Sequence, residues 1–557
     1  MRRVMSALSV TVGAVLLVLG TGAAALVGPD DQIDLRTITA PAGARAVVLP
    51  HDLVPLTGVM LAVTAHAEQG DVLVGAAHPV DVASYTAPMQ RLVVLRAGLD
   101  GRLAGDVRGR PEEAPSDLGA ARFWTVEDRG AGERTVRVPL DDASVAVVAV
   151  AAEPGSRLHV SVGVEVPSSF GVAVGAATVG AVLTGGGVAL GRRRRGRDRT
   201  DGPGPDAASG EVHQEARPDT AADTAGAESI GARLTMLTAA TLVGTVGLSG
   251  CAAVPGVAAR PELPERPALT AAERAAPEPT PHPYTEAAAA AAAGDPTAWA
   301  RVTSGPQLAV QEFDARVELA RAARDGTPVD ASTFPMTTLE EIAPTFTSYP
   351  LYRVVVSRRE DDEAAVPLLR VEERQDVLDP WRIRAETDVE SGTTLHGGGR
   401  GATHAPDAVD LDRAQAALDA VQRYLKAGDA SGVEDLGDLE EVRLSLSSDE
   451  VVGTVVQSLV VAPWGDREAP FGPAGGSRAV AVADGTVAVL TFEVGVTLSS
   501  TSADGLLQIA DQAQAEVVGQ PGWRSSFDLD YVLVVAADVS SAGAVVIRGT
   551  DLSPVLR

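Results

Sequence analysis

The chain has 557 residues, room for three or four domains at the usual ~100–200 residues each, or fewer if part of it crosses a membrane. Apolar residues make up 45% but aromatics only 3%, so a core must be built mainly from Val, Ala and Leu. A net charge of −28 argues against nucleic acid as a partner, and the single Cys excludes intrachain disulfides and multi-Cys metal sites. Lys occurs once, as Lys426, against 45 Arg, which reads as the base composition of a GC-rich genome rather than chemistry.

Met1-Arg2-Arg3 leads into an apolar run that ends at Val27. Residues 1–27 read as a signal peptide, with Ala23-Ala24-Ala25 as small residues before a cut, or as a retained signal anchor of about one membrane thickness. Phe170 to Leu190 is 21 residues without a charge, followed at once by Arg192-Arg193-Arg194-Arg195-Gly196-Arg197. That predicts a transmembrane helix over 170–191 with the Arg cluster in the cytoplasm, which places 28–169 outside. Residues 192–232 are rich in Gly, Pro, Asp and Ala and are expected to form a disordered cytoplasmic linker.

A third apolar run, Leu234 to Gly250, is 17 residues long and ends in Leu248-Ser249-Gly250-Cys251-Ala252. It resembles the signal peptide of a bacterial lipoprotein, which implies lipidation of the Cys251 thiol by signal peptidase II and the lipid-transfer machinery. Residues 233–250 are otherwise a third transmembrane helix. Because such signals normally stand at a chain's N-terminus, two accounts stay open: a fused pair of proteins cut at Cys251, or a lipobox-like helix that is never processed.

Between residues 28 and 169 short Val-rich runs alternate with turn residues: Ala46–Leu49, Val59–Ala65, Asp71–Ala76, Arg91–Leu95, Thr135–Val138, Val145–Ala151 and Leu158–Val164. This predicts a β-sandwich, interrupted by a Pro/Glu/Asp/Gly-rich loop over about 99–121. The segment Val72 to Tyr85, Phe123-Trp124 and the strand Val145–Val150 resemble the ectodomain of uncharacterised actinobacterial membrane proteins, in which a jelly-roll-like sandwich precedes a transmembrane helix. That resemblance spans 28–200 and implies no catalytic residue. His78, Asp81 and Tyr85 form the nearest polar group, with Asp81 expected to start a helical turn rather than bind metal.

From Cys251 onward there are 24 basic and 47 acidic residues, a net of −23, leaving −5 for residues 1–250. Residues 251–283 form a tether, with eight prolines between Ala252 and Pro283. Two helices, Tyr284–Ala293 and Leu411–Ala427, each end in Ala-Gly-Asp, and Leu418, Val421 and Leu425 give the second one buried stripe. Strands follow each helix: Leu351–Ser357, Pro367–Arg374 and Trp381–Thr387 in one set, and Val451–Val461, Ser477–Ala483, Val487–Leu498, Tyr531–Ala537 and Ala544–Gly549 in the other. This predicts two α+β units, 284–395 and 410–557, joined by a Gly-rich connector over 396–409 that includes His396 and His404. The order of elements over 233–557 resembles an uncharacterised actinobacterial lipoprotein with NTF2-like domains, a cone fold with a pocket between sheet and helix.

The expected architecture is therefore a multidomain membrane protein: a β-sandwich ectodomain, transmembrane helices and a C-terminal α+β part, with 28–169 and 251–557 outside the cell membrane. Pocket candidates are Tyr352, Trp381, Trp523 and Tyr531, with Tyr349 beside them. No Gly-x-Ser-x-Gly elbow or His-Glu-x-x-His motif occurs. The expectation is a non-enzymatic binding or scaffolding protein of the cell envelope, needing no cofactor or metal, whose partner is the membrane and an envelope protein or small apolar ligand. The alternative is an enzyme with Asp528 or Asp530 as general base.

Overall fold

The computed structural model describes residues 2–195, 256–257, 265–275, 282–390 and 403–556, less 30, 35–36, 51, 54–55, 98–102, 111–121, 141–143, 167, 332, 363, 405, 447–454, 466–476, 483–486 and 503–504. Cys251, the third apolar run, residues 196–255 and the glycines of the connector lie outside the described residues. The chain divides into two compact units, Met1–Val82 with Thr86–Glu262, and Ala83–Tyr85 with Leu263–Arg557.

In the first unit two sheets face each other. One orders Gln32–Asp34, Leu158–Glu165, Val59–Ala67 and Arg134–Leu140, with Ile38–Thr39 also on the Leu158–Glu165 strand. The other orders Leu103–Arg108, Arg91–Ala97, Ala46–Leu49, Ala146–Ala151, Asp71–Ala77 and Val126–Ala131. Alternation does what the sequence implied: Leu158, Val160 and Val162 point inward while His159 and Ser161 are half-buried. They meet Val72, Val74, Val147 and Ala149 of the opposite sheet in a core of aliphatic residues. The loop expected over 99–121 is in part a strand, Leu103–Arg108, paired with Arg91–Ala97. Asp81 lies in the first turn of a helix, Pro79–Thr86.

Among the described residues two helices are long and apolar enough to cross a membrane, Ala7–Val27 and Ser169–Ala189, each 21 residues. They are parts of α1 (Arg2–Val27) and of a longer helix, Ser169–Arg195, which runs into the Arg cluster. The two pack antiparallel at a seam of small residues. A Cβ on Gly13 would stand 2.7 Å from the Thr184 nitrogen, and one on Gly20 would stand 2.5 Å from the Ala177 nitrogen. Only glycine permits backbones this close. Away from the seam, Leu8, Val15, Val18, Leu19 and Val182 are exposed, the reverse of a helix buried in a soluble core. Asp31, just after α1, caps the other helix: its carboxylate accepts from the Phe170 N–H at 2.6 Å, the Ser168 N–H at 3.0 Å and the Ser169 hydroxyl at 3.2 Å. These bonds, the one from Phe170 foremost, hold the Asp31 carboxyl below the usual carboxylate range.

The second unit has two sheets and three principal helices, here α2 (Pro283–Ala292), α3 (Gly305–Asp325) and α4 (Ala408–Ala427). An antiparallel meander joins Met336–Ile342, Leu351–Arg359, Leu368–Arg374 and Arg382–Asp388. The larger sheet is built on Val455–Pro463, Arg478–Val482, Val487–Ser502, Ser526–Val539 and Val545–Val555. From Val532 to Ala537 the strand Ser526–Val539 is buried on both faces and reads as a continuous apolar run. Leu533, Val535 and Ala537 meet Leu418, Val421 and Leu425 of α4, whereas Val534 and Ala536 meet Val354, Leu369 and Ala385 of the meander.

Residues 284–395 and 410–557 therefore share a core and form one compact unit rather than two in series. Thr345–Phe346 and Thr403–His404 extend the larger sheet, so the end of the expected connector is part of the fold. The predicted strands recur, most with small shifts at their ends, while the last two run longer than expected, as Ser526–Val539 and Val545–Val555. Helix α3 stands between the first expected helix and the first expected strand of this unit, where no element was expected.

Candidate functional site

Helix α2 starts at His282, whose ring nitrogen Nδ1 accepts from the Tyr284 N–H at 3.2 Å, and continues through a run of alanines. A 3-10 turn, Pro296–Arg301, brings Trp299 edge-on to Tyr284 with ring centroids 5.0 Å apart. Ser304 then precedes α3, which has Pro306 in its first turn and ends at Gly326 with φ 68°. That left-handed value is one glycine adopts at no steric cost. Val310, Phe313 and Val317 bury one stripe of α3 and leave Asp314 and Glu318 facing outward.

A cavity of about 450 Å³ opens between α2, α3, residues 329–336 and the meander. This size falls within the ~300–1,000 Å³ of small-molecule pockets. Tyr284, Trp299, Ala288, Ala291 and Ala315 supply apolar lining, with Leu368, Val366 and Met336 from the sheet and its flanks. Asp314, Glu318, Asp330 and Asp388 supply acidic lining. Arg359 is the one basic lining residue among those described, and it is already engaged. It donates to Asp361 at 3.1 and 2.9 Å and lies 3.6 Å over the Phe334 ring.

Asp314 has no hydrogen bond or ion pair among the described residues. Its carboxylate is open to the cavity yet crowded by protein on its other sides. That desolvation, followed by repulsion from Asp551 and Glu318, pushes it up to about 6. Asp388 is raised by burial and by Asp438, and Asp551 by burial and by Asp388, despite a bond from the Ser553 hydroxyl at 2.8 Å. Burial likewise pushes the Tyr284 hydroxyl up to about 12. Asp314, Asp551 and Asp388 thus repel one another in turn, and among the described residues Arg359 is the basic residue that lines the cavity beside them. No three His, Cys, Asp or Glu side chains among the described residues converge closely enough to hold a metal ion.

A second charged group lies between the two sheets and is closed to solvent. Arg384 donates to both oxygens of Glu493, at 3.0 and 3.2 Å, and reaches Glu373 at 3.5 Å. Arg478 donates to Glu373 at 2.6 Å. The side chains of Glu373 and Glu493 are 1% and 0% exposed, so no ligand reaches them, and the quartet fastens one sheet to the other. Burial pushes Glu493 up to about 7 against the pull of Arg384 and Arg478.

None of the aromatics singled out from the sequence is among the lining residues of the cavity. Tyr352 is buried at the junction of the two sheets, where its hydroxyl donates to the Ala479 carbonyl at 2.5 Å and its ring meets Phe346 edge-on. Burial raises its pKa. Tyr349 and Trp381 pack at the margin of the same core, and the Arg353 guanidinium lies 5.4 Å from the Trp381 ring centre. Tyr531 is half-buried in the larger sheet, and Trp523 is 66% exposed. Asp528 is exposed and Asp530 accepts from the Thr497 hydroxyl at 2.5 Å, and neither is among the lining residues.

The signals that do mark the cavity were present in the sequence: Ser304 and Pro306 at a helix start, Gly326 at its end, and Val310, Phe313 and Val317 at helical spacing. Compared with protein-family models, with curated proteins and with solved structures, the chain matches none.

Proposed function

We propose that this chain is a non-enzymatic binding protein held at the cell membrane, whose C-terminal unit takes a small ligand into the cavity between α2, α3 and the meander. The observation that carries the proposal is that cavity: apolar walls of Ala, Tyr and Trp opening onto carboxylates, at the volume of a small-molecule site. Its place between helices and an antiparallel sheet is the one an NTF2-like cone would use. On this reading α1 is retained as a membrane helix, because its glycines and Asp31 fit it to the helix Ser169–Arg195. The antiparallel pair sets Arg2 and Arg3 at the same end as the Arg192–Arg195 cluster, which the positive-inside rule places in the cytoplasm. Residues 28–169 are then extracytoplasmic, and lipidation of Cys251 would hold the C-terminal part on the same side.

The test uses the full chain in lipid nanodiscs, screened by ligand-observed NMR against small apolar and amphiphilic compounds. Binding is expected in the wild type and lost in Ala288→Phe, which fills the cavity from α2. Turnover of any bound compound at an ordinary enzymatic rate would overturn the non-enzymatic assignment. The mass of the same preparation reports on α1, and a mature N-terminus near Leu26 would show that the helix is removed.

A further inference from the structure

We infer that the ligand of this cavity is an organic cation, an ammonium group on an aryl or hydrocarbon body, with Asp314 as the counter-charge. The inference rests on the cavity being a binding site and goes on to say what enters it.

Three observations converge on this class. First, the acidic lining is not balanced: Arg359 is committed to Asp361 and to the Phe334 face, while the carboxylates of Asp314 and Asp388 have no ion pair among the described residues. Glu318 is shared with Arg321, which also reaches Asp511 at 2.7 Å, away from the cavity. A cation entering here lowers the mutual repulsion of Asp314, Glu318, Asp388 and Asp551, whereas an anion raises it. Second, the cation is not a bare metal ion, because among the described residues the carboxylates do not converge as metal ligands do. They come from α3, from the segment after it and from the last strand of the meander, as suits a larger, softer group. Third, the rest of the lining asks for hydrocarbon. Tyr284 and Trp299 offer aromatic surface beside small alanine side chains, and the Arg370 guanidinium, paired with Glu386, lies 5.8 Å from the Tyr284 ring centre, the attraction by which aromatic faces also take ammonium groups. An inorganic cation leaves that apolar surface wet, and a neutral apolar molecule leaves the charges uncompensated. A molecule with both parts satisfies the whole cavity.

The test is calorimetry on the full chain in phosphatidylcholine nanodiscs at pH 8, with empty discs as the blank. Three probes share one body and differ in the head group: 4-phenylbutylamine, 4-phenylbutan-1-ol and 4-phenylbutyrate. The amine is expected to bind at least tenfold more tightly than the alcohol, and the carboxylate not to bind. Asp314→Asn is expected to shrink the amine preference to under threefold, Asp314→Glu to keep most of it, and Ala288→Phe to abolish binding of every probe. Equal binding of amine and alcohol by the wild type would overturn the inference and leave the binding function standing. An undiminished amine preference in Asp314→Asn would do the same. Failure of all three probes to bind the wild type would overturn both.

Discussion

Asparagine at position 314 should make this protein more stable at alkaline pH and no more stable in acid. In the folded chain the Asp314 carboxyl stands at about 6 against an ordinary value of 3.8. Burial is the main cause, followed by Asp551 on the strand Val545–Val555 and Glu318 on α3 itself, and Arg359 across the cavity is held by Asp361. Between those two values the native state binds a proton that the unfolded chain does not. The stability this provides is complete below pH 3.8 and is lost as pH rises through 6. Two pKa units correspond to about 3 kcal/mol in a dry interior. Because the carboxylate is open to the cavity, water and salt screen it, and a gain of about 1–2 kcal/mol is the expected size. The assay is urea denaturation of the full chain in nanodiscs, followed by Trp fluorescence, for wild type and Asp314→Asn at pH 4.5 and pH 8. Glu386 and Asp388 also titrate upward of the usual range, and taking the difference between the two proteins cancels them; Asp551, which repels Asp314, is relieved in the variant and adds to its gain at pH 8. A variant less stable than wild type at pH 8, or a difference that does not change with pH, would refute the electrostatic argument.

Two further substitutions probe the frame that holds the cavity. Arg384→Met removes the paired donor from Glu493 inside the sheet junction and should cost about 3–5 kcal/mol at pH 8, read as a lower urea midpoint for the C-terminal unit. Adding Glu493→Leu should recover most of that loss, since two apolar side chains then face each other, and no recovery would mean that the arginine acts mainly through packing. At the membrane, Gly180→Leu places a side chain against the Leu17 nitrogen and the Gly13 carbonyl, so α1 and its partner helix must separate. A rise in protease access to residues 28–34 without loss of the sandwich is the expected signature, and unchanged protection would place the helices further apart than the structure does.

Much of this fold was legible because two periodicities are strong in the sequence. The strict alternation from Leu158 to Val164 matches a strand with Leu158, Val160 and Val162 inside, and Leu418, Val421 and Leu425 form the buried stripe of α4. Uncharged length alone marked both helices that, among the described residues, can cross a membrane. These are local properties: hydrophobic spacing fixes which face is buried whatever lies opposite.

What lies opposite was decided only in three dimensions. The apolar run from Val532 to Ala537 gives no hint of two different neighbours, yet one alternate set meets α4 and the other meets the meander. Because that strand is buried on both faces, the two expected α+β units become one. Glu373, Arg384, Arg478 and Glu493 are ordinary charged residues in the sequence and acquire their role only where the two sheets meet. Of the aromatics expected to line a pocket, Tyr352, Tyr349 and Trp381 went into a core and its margin, as large apolar side chains do when hydrophobic burial governs placement, and Trp523 stayed exposed. Asp314 was one acidic residue among 74, and its chemistry follows from neighbours as distant in sequence as Asp551. Periodicity is written residue by residue along the chain, but electrostatic environment belongs to groups that only the tertiary fold brings together.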